Sequence, residues 1–399
     1  MTVNRLRLAA VLTAVVSLSG CAASAAQPMA QSGQPSPSAT STTPAATPAT
    51  ATVLGRQWHH PLDRSIVIEA AHGTITSVLL RAGKTTVAGR TTDHHQRWRS
   101  TARLTPTTTY RAVVHLRDSA AQQSVTRLAV RTGRAPRTLS MTATPGAGWT
   151  VGVGEPIAVT FNRPVAHRAV VQRHMTVTTS RGPVAGAWHW FSSTVVHYRP
   201  RHFWPANTTV QVHLDLHNVY AGRRVWGTRN HDWSWQVGDR HVSYVNAERH
   251  TFRVTDNGTT IRRWPTGTGM PGFSTREGVY TVLSKSPTVE MTSCSVGLSC
   301  TPGDPSYYDL TVHWDTRLTA SGTFVHAAPW DSQIGYANTS HGCIHLTTAD
   351  AEKFYQLSMP GDVVIVRHTG RAPDIPDDPG MMDWNMSWSQ WSAGSATAG

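Results

Sequence analysis

The chain has 399 residues, room for about two to four domains, and 36 Lys and Arg against 23 Asp and Glu give a formal net charge of +13. With 15 Trp, 21 His, 24 Pro and 31 Gly the composition is globular but unusual. A basic surface suits anionic partners such as cell-wall polymer or a membrane face. With no nucleic-acid motif and no dense Lys/Arg run, nucleic acid is not the expected partner.

Residues 1–20 read as a secretion signal. Arg5 and Arg7 form the charged start, and the apolar run Leu8 to Leu18 is too short to span a bilayer. It ends Leu18-Ser19-Gly20-Cys21, which resembles the bacterial lipobox and implies cleavage before Cys21 and lipidation of its thiol. An ordinary cleaved signal is the alternative. The expected location is extracytoplasmic, lipid-anchored to the outer face of the plasma membrane, in the cell-wall space. Residues 21–52, rich in Ala, Thr, Ser and Pro and without a charged residue, cannot bury enough apolar surface to offset ordering entropy. They predict a disordered tether.

Residues 53–137 and 138–240 predict two immunoglobulin-like β-sandwich modules. Alternating runs such as Tyr110-Arg111-Ala112-Val113-Val114-His115-Leu116 recur between Gly, Pro and Asp turns. Leu104-x-Pro106-x-Thr108-x-Tyr110 recurs as Phe203-x-Pro205-x-Asn207-x-Thr209, an offset of about 100 residues, the size of one such sandwich.

Residues 241–370 predict a further β-rich domain with one or two short helices. Short strands are expected at Ser243–Asn246, Thr251–Thr255, Gly278–Leu283 and Asp309–His313, with a hairpin turn at Asn257-Gly258. A helix follows Cys343: Thr347 or Thr348 caps it, Asp350 sits in its first turn, and Pro360-Gly361 stops it. Val363–Val366 reads as a buried strand. In the Trp-rich extension 371–399, Trp384, Trp388 and Trp391 fall on one helical face.

The chemistry concentrates in His326-Ala327-Ala328-Pro329-Trp330 and Asn338-Thr339-Ser340-His341-Gly342-Cys343-Ile344-His345. Thiolate is the reactive form of cysteine, and a neighbouring imidazole takes the thiol proton. His326 near a strand end and Cys343 in a turn before a helix are both places where side chains project from a rigid scaffold. Gly342 permits a sharp turn, and the N–H groups of Gly342 and Cys343 are candidate oxyanion donors. Cys294 and Cys300 can close a small disulfide loop in an oxidising compartment. With Cys21 lipidated, Cys343 is the odd thiol. No cofactor or metal is expected.

His326 followed by Ser340-His341-Gly342-Cys343 resembles the signature of the YkuD-type L,D-transpeptidase catalytic domain, across about 241–370. With the lipobox, tether, β-modules and Trp-rich tail, nearly the whole chain resembles the multidomain mycobacterial-type enzymes. The resemblance implies that Cys343 attacks a peptidoglycan tetrapeptide stem at its third residue and releases D-Ala. The thioester then passes to the side-chain amine of an acceptor stem, giving a 3→3 cross-link. It implies His326 as base, oriented by the backbone carbonyl of Ala327, and His341 as a pocket residue. Tyr308, Met291, Ser340, Ala327, Trp330, Asn338 and His345 are implied substrate contacts, with the Cys294–Cys300 segment in a lid over the donor. Covalent inhibition by carbapenem β-lactams is a further implication. Two positions depart from the family: Ala327 where Ser is frequent, and His345 where Asn is frequent. They bear on the choice of acceptor.

The rival readings are an L,D-carboxypeptidase or a protein-anchoring acyltransferase using the same thioester, and a non-catalytic wall-binding lipoprotein. A zinc site from His326, His341, Cys343 and His345 does not match the usual ligand spacing.

Overall fold

The computed structural model describes residues 47–373 and 379–397. The signal segment, Cys21 and the tether up to residue 46 lie outside the described residues.

Alternation of small or β-branched residues with polar ones builds three successive β-assemblies. In the first, the sheet ordered Thr50–Val53, Val67–Ala71, Arg97–Ser100, Gly89–Thr92 faces a five-stranded sheet centred on Thr109–Asp118. Ile66, Ile68, Leu80, Trp98, Val114 and Leu116 fill the space between them. The strand Thr50–Val53 corrects the expectation of a tether reaching residue 52. Ala49, Ala51 and Val53 are buried and the strand pairs antiparallel with Val67–Ala71. A run of Ala and Thr reads as low complexity by composition, yet its alternate small side chains turn into the core.

The second assembly packs a sheet containing Ile157–Phe161 and Val195–Pro200 on one containing Thr208–Leu214 and His231–Val237. Trp204 and Trp235 lie edge to face in its core, ring centroids 5.5 Å apart. The repeated motif occupies the same place in both assemblies, just before a central strand.

In the third, His241–Asn246 pairs antiparallel with Thr251–Asp256 and parallel with Val363–Arg367. Asn257 and Gly258 both have positive φ at the hairpin turn, as a two-residue turn matched to strand twist requires. A second sheet runs Ser284–Thr292, Asp309–Arg317, Phe324–Ala327, Ile344–Leu346. The expected strand Gly278–Leu283 ends at Thr281, where the chain passes to this second sheet. The helix Thr348–Leu357 has Thr347 as N-cap, its side chain accepting from the Asp350 N–H at 3.2 Å. Its buried residues Ala351 and Phe354 join the core of this assembly.

The tail ties the third assembly to the second. Asn385 bonds the backbone of Val279 in both directions. The helix spans only Trp388–Ala393, closed by a Ser387/Gln390 capping box. Trp384 therefore precedes the helix and does not share its face. The Arg199 guanidinium nevertheless gathers all three rings, 4.8 Å from Trp384 and Trp391 and 5.5 Å from Trp388. Trp391 is fully buried and donates to the Ala187 carbonyl.

Candidate active site

Parallel pairing of Phe324–Ala327 with Ile344–Leu346 sets His326 opposite His345 and brings the end of one strand to the turn that starts the other. The turn is held by its own side chains. The Ser340 hydroxyl donates to the Cys343 carbonyl at 2.7 Å and accepts the Gly342 N–H at 3.0 Å. Thr275 donates to the Gly342 carbonyl at 2.9 Å. Gly342 has φ +126°, a conformation that penalises any side chain.

His326 and Cys343 line one cavity of about 490 Å³. His326 Nδ1–H donates to the Ala327 carbonyl at 2.9 Å, which fixes the tautomer and leaves Nε2 with its lone pair. Burial, and secondarily the charge of His345, lowers the His326 pKa to about 3. The thiol of Cys343 donates to the Gly322 carbonyl at 3.7 Å. Burial pushes its pKa up to about 11, the Asp315 charge adds to the rise, and the Phe324 backbone N–H opposes it. Thiol and imidazole are therefore both neutral at rest.

His341 lies between Phe273 and Tyr308, ring centroids 4.7 and 5.2 Å away, and its Nε2 is buried without a partner. Tyr308 is raised to about 12 by burial and by the Cys343 charge, which keeps its hydroxyl protonated. Met291, Trp330 and Ser340 also line the cavity. Cys294 and Cys300 are joined in a disulfide, and Val296 and Leu298 within that loop face the cavity. The loop is anchored by the Ser293 hydroxyl, which donates to the Ser299 carbonyl at 2.7 Å.

Three expected roles change. Ala327 contributes its carbonyl, but its methyl group is packed in the core at 1% exposure and cannot meet substrate. Asn338 is a brace outside the cavity: its carbonyl oxygen accepts from the Thr268 N–H and hydroxyl, and its amide donates to the Ala247 carbonyl. The Gly342 N–H is committed to Ser340 and is not an oxyanion donor.

Two carboxylates escaped the sequence reading. Asp331 accepts from His345 Nδ1 at 2.7 Å and from the Thr339 hydroxyl at 2.6 Å. Burial pushes Asp331 up, but these bonds and the Gln333 N–H outweigh it and hold it below its ordinary value. The signal was an acid close to Trp330 in a chain that has His where Asn is frequent. Asp315 is 1% exposed, with both carboxylate oxygens unpartnered. Burial raises it to about 7. Trp314, with φ +58°, interrupts the strand's alternation so that Asp315 and Thr316 are both buried.

A free thiol, a tautomer-locked imidazole and a lidded cavity on this β-scaffold define a cysteine acyltransferase. A family model for the L,D-transpeptidase catalytic domain (YkuD) matches residues 240–366, and one for a bacterial Ig domain (Big_10) matches residues 59–220. L,D-transpeptidase 2 of Mycobacterium tuberculosis is 33% identical over 345 residues, which are 84% of this chain and 82% of that protein. L,D-transpeptidase 1 of the same species is 34% identical over 223 residues, 56% of this chain and 82% of that protein. A solved structure of LD transpeptidase LdtMt1 in complex with imipenem is similar with a TM-score of 0.50 and 33% identity, covering 58% of this chain and 99% of that one. The chain belongs to the L,D-transpeptidase family.

Proposed function

We infer that the chain is a peptidoglycan L,D-transpeptidase that works through a Cys343 thioester. The observation that carries the reading is the free Cys343 thiol and the tautomer-locked His326, both lining one cavity. As the Cys343 sulfur attacks the third-residue carbonyl of a tetrapeptide stem, its proton passes to His326 Nε2. The Ala327 carbonyl supports the imidazolium that forms. Tyr308, protonated and on the cavity wall, offers a hydroxyl to the developing oxyanion together with the Cys343 N–H. His326 then hands the proton to the departing D-Ala amine, and the thioester waits for the amine of an acceptor stem, which forms the 3→3 cross-link.

The imipenem complex of the solved relative supports carbapenems as covalent inhibitors here, since a strained β-lactam carbonyl meets the same thiol. Arg5, Arg7, the apolar run and Leu18-Ser19-Gly20-Cys21 support a lipid-anchored placement outside the plasma membrane. Globomycin-type inhibition of lipoprotein maturation, which should leave an uncleaved precursor, checks that placement.

The function is tested by intact-protein mass spectrometry after incubation with a tetrapeptide stem. The expected adduct has the mass of the stem less D-Ala and is missing from Cys343→Ala. An adduct of equal yield on that variant sinks the mechanism.

A further inference from the structure

One imidazole on the cavity, unlike His326, is oriented by a carboxylate, an arrangement that acylation does not require. His345 lines the cavity beside His326, ring centroids 4.9 Å apart at 67°. Its Nδ1–H is held by Asp331 at 2.7 Å, so Nε2 carries the lone pair. Both side chains are sequestered, 8% and 5% exposed. The Asp331 oxygen that receives His345 also receives Thr339, and Thr266 donates to the His345 carbonyl at 2.8 Å. The imidazole is thus held through Nδ1, and the residue's backbone through its carbonyl. That is more order than a passive wall needs.

Proton balance gives the pair a task, given the transpeptidase reading above. A lysine-type side-chain amine has a pKa of about 10.4 and is an ammonium at neutral pH. When it resolves the thioester, the nitrogen lone pair forms the C–N bond and the C–S bond breaks with its electrons on sulfur. Two N–H protons are lost on the way from ammonium to amide. One returns to Cys343 sulfur; the other must leave for a different base. Water makes no such demand, because one proton returns to sulfur and the other stays on the carboxylic acid formed. His326 has a single free nitrogen and serves the sulfur.

We propose that His345, oriented by Asp331, is a second general base that takes the first proton from the incoming acceptor ammonium and so directs the acyl-enzyme to an amine rather than to water. Asp331 is the positioning residue. Its carboxylate stabilises the imidazolium while the proton is passed to solvent, and it favours a cationic acceptor. Val296 and Leu298 of the disulfide loop line the same cavity as Trp330 and His345, so one cavity can hold both the acyl group and the incoming amine. The titratable groups that face His345 are Asp331, His326 and His341. Burial lowers the proton affinity of His345 and Asp331 restores part of it, which suits a base that must both take and release a proton.

The test uses the full chain, a tetrapeptide donor and a stem acceptor with a side-chain amine, and measures the ratio of amine transfer to hydrolysis from pH 6 to pH 10. In His345→Gln, whose amide can still bond Asp331, the ratio at pH 7 should fall by about tenfold or more. The deficit should shrink toward pH 10, where the amine deprotonates unaided. Asp331→Asn should show the same convergence. An unchanged ratio at pH 7 overturns the proposal, and so does a loss by one constant factor at every pH, the mark of a purely structural role. Should Asp331→Asn not fold, having lost the Thr339 and Gln333 bonds as well, His345→Gln decides alone. Donor acylation at Cys343, followed in the same samples, reports separately on the transpeptidase reading: failure of wild type to acylate sinks that reading, whereas a flat partition ratio sinks only the second base.

Discussion

Asp315→Asn should make the catalytic domain more stable at neutral pH while doing little at acid pH. Asp315 is 1% exposed with neither oxygen partnered, and burial raises its pKa from 3.8 to about 7. Between those values the folded chain still holds a proton that the unfolded chain has released, so this group's contribution to stability falls as pH rises. At about 1.4 kcal/mol per tenfold change in proton affinity, the full cost above pH 7 is on the order of 4 kcal/mol. Asparagine has no proton to lose. Other groups titrate in the same range, Glu155 among them at about 8, so the informative quantity is the difference between variant and wild type. Calorimetric melts from pH 4 to pH 8 should show that difference growing with pH, the variant gaining throughout. A difference independent of pH would mean instead that Asp315 titrates like an exposed carboxyl.

The neutral resting pair makes a second prediction. With Cys343 raised to about 11 and His326 lowered to about 3, alkylation of Cys343 by iodoacetamide should stay slow through pH 8 and accelerate only near pH 10. A rate plateau below pH 7 would indicate a preformed thiolate–imidazolium pair instead. Trp391→Ala should destabilise the chain by about 3–5 kcal/mol, since a fully buried indole is removed from the tail's docking site and the Ala187 carbonyl loses its donor. Chemical denaturation checks this; a loss below about 1 kcal/mol would show that the tail contributes little.

What was legible in the sequence is what the chain encodes locally. Alternation marked the strands, Thr347 and Asp350 marked the helix start, and the Ser340-His341-Gly342-Cys343 turn stood out because cysteine is scarce. Cys294 and Cys300 are close enough in sequence for their bond to be read as a loop closure. What was not legible depends on which way a side chain turns. Ala327 and Asn338 belong to the signature stretch, but the first points into the core and the second braces Thr268 and Ala247. Asp331 acquires meaning only when the chain folds back and sets it against His345. Asp315 reads as a polar outward position until the left-handed Trp314 breaks the alternation. Trp384 shares helical spacing with Trp388 and Trp391, yet the capping box at Ser387 starts the helix after it.

Transfer of an acyl group by Cys343 from one stem to the amine of another leaves its record in the product. Full-length protein, a tetrapeptide donor and an acceptor stem labelled with ¹⁵N at the side-chain amine should yield a 3→3 dimer holding the label in its new amide, with one D-Ala released per dimer and none of either from Cys343→Ala. Release of D-Ala without labelled dimer would make the chain a hydrolase, and labelled dimer from Cys343→Ala would show that Cys343 does not carry the acyl group.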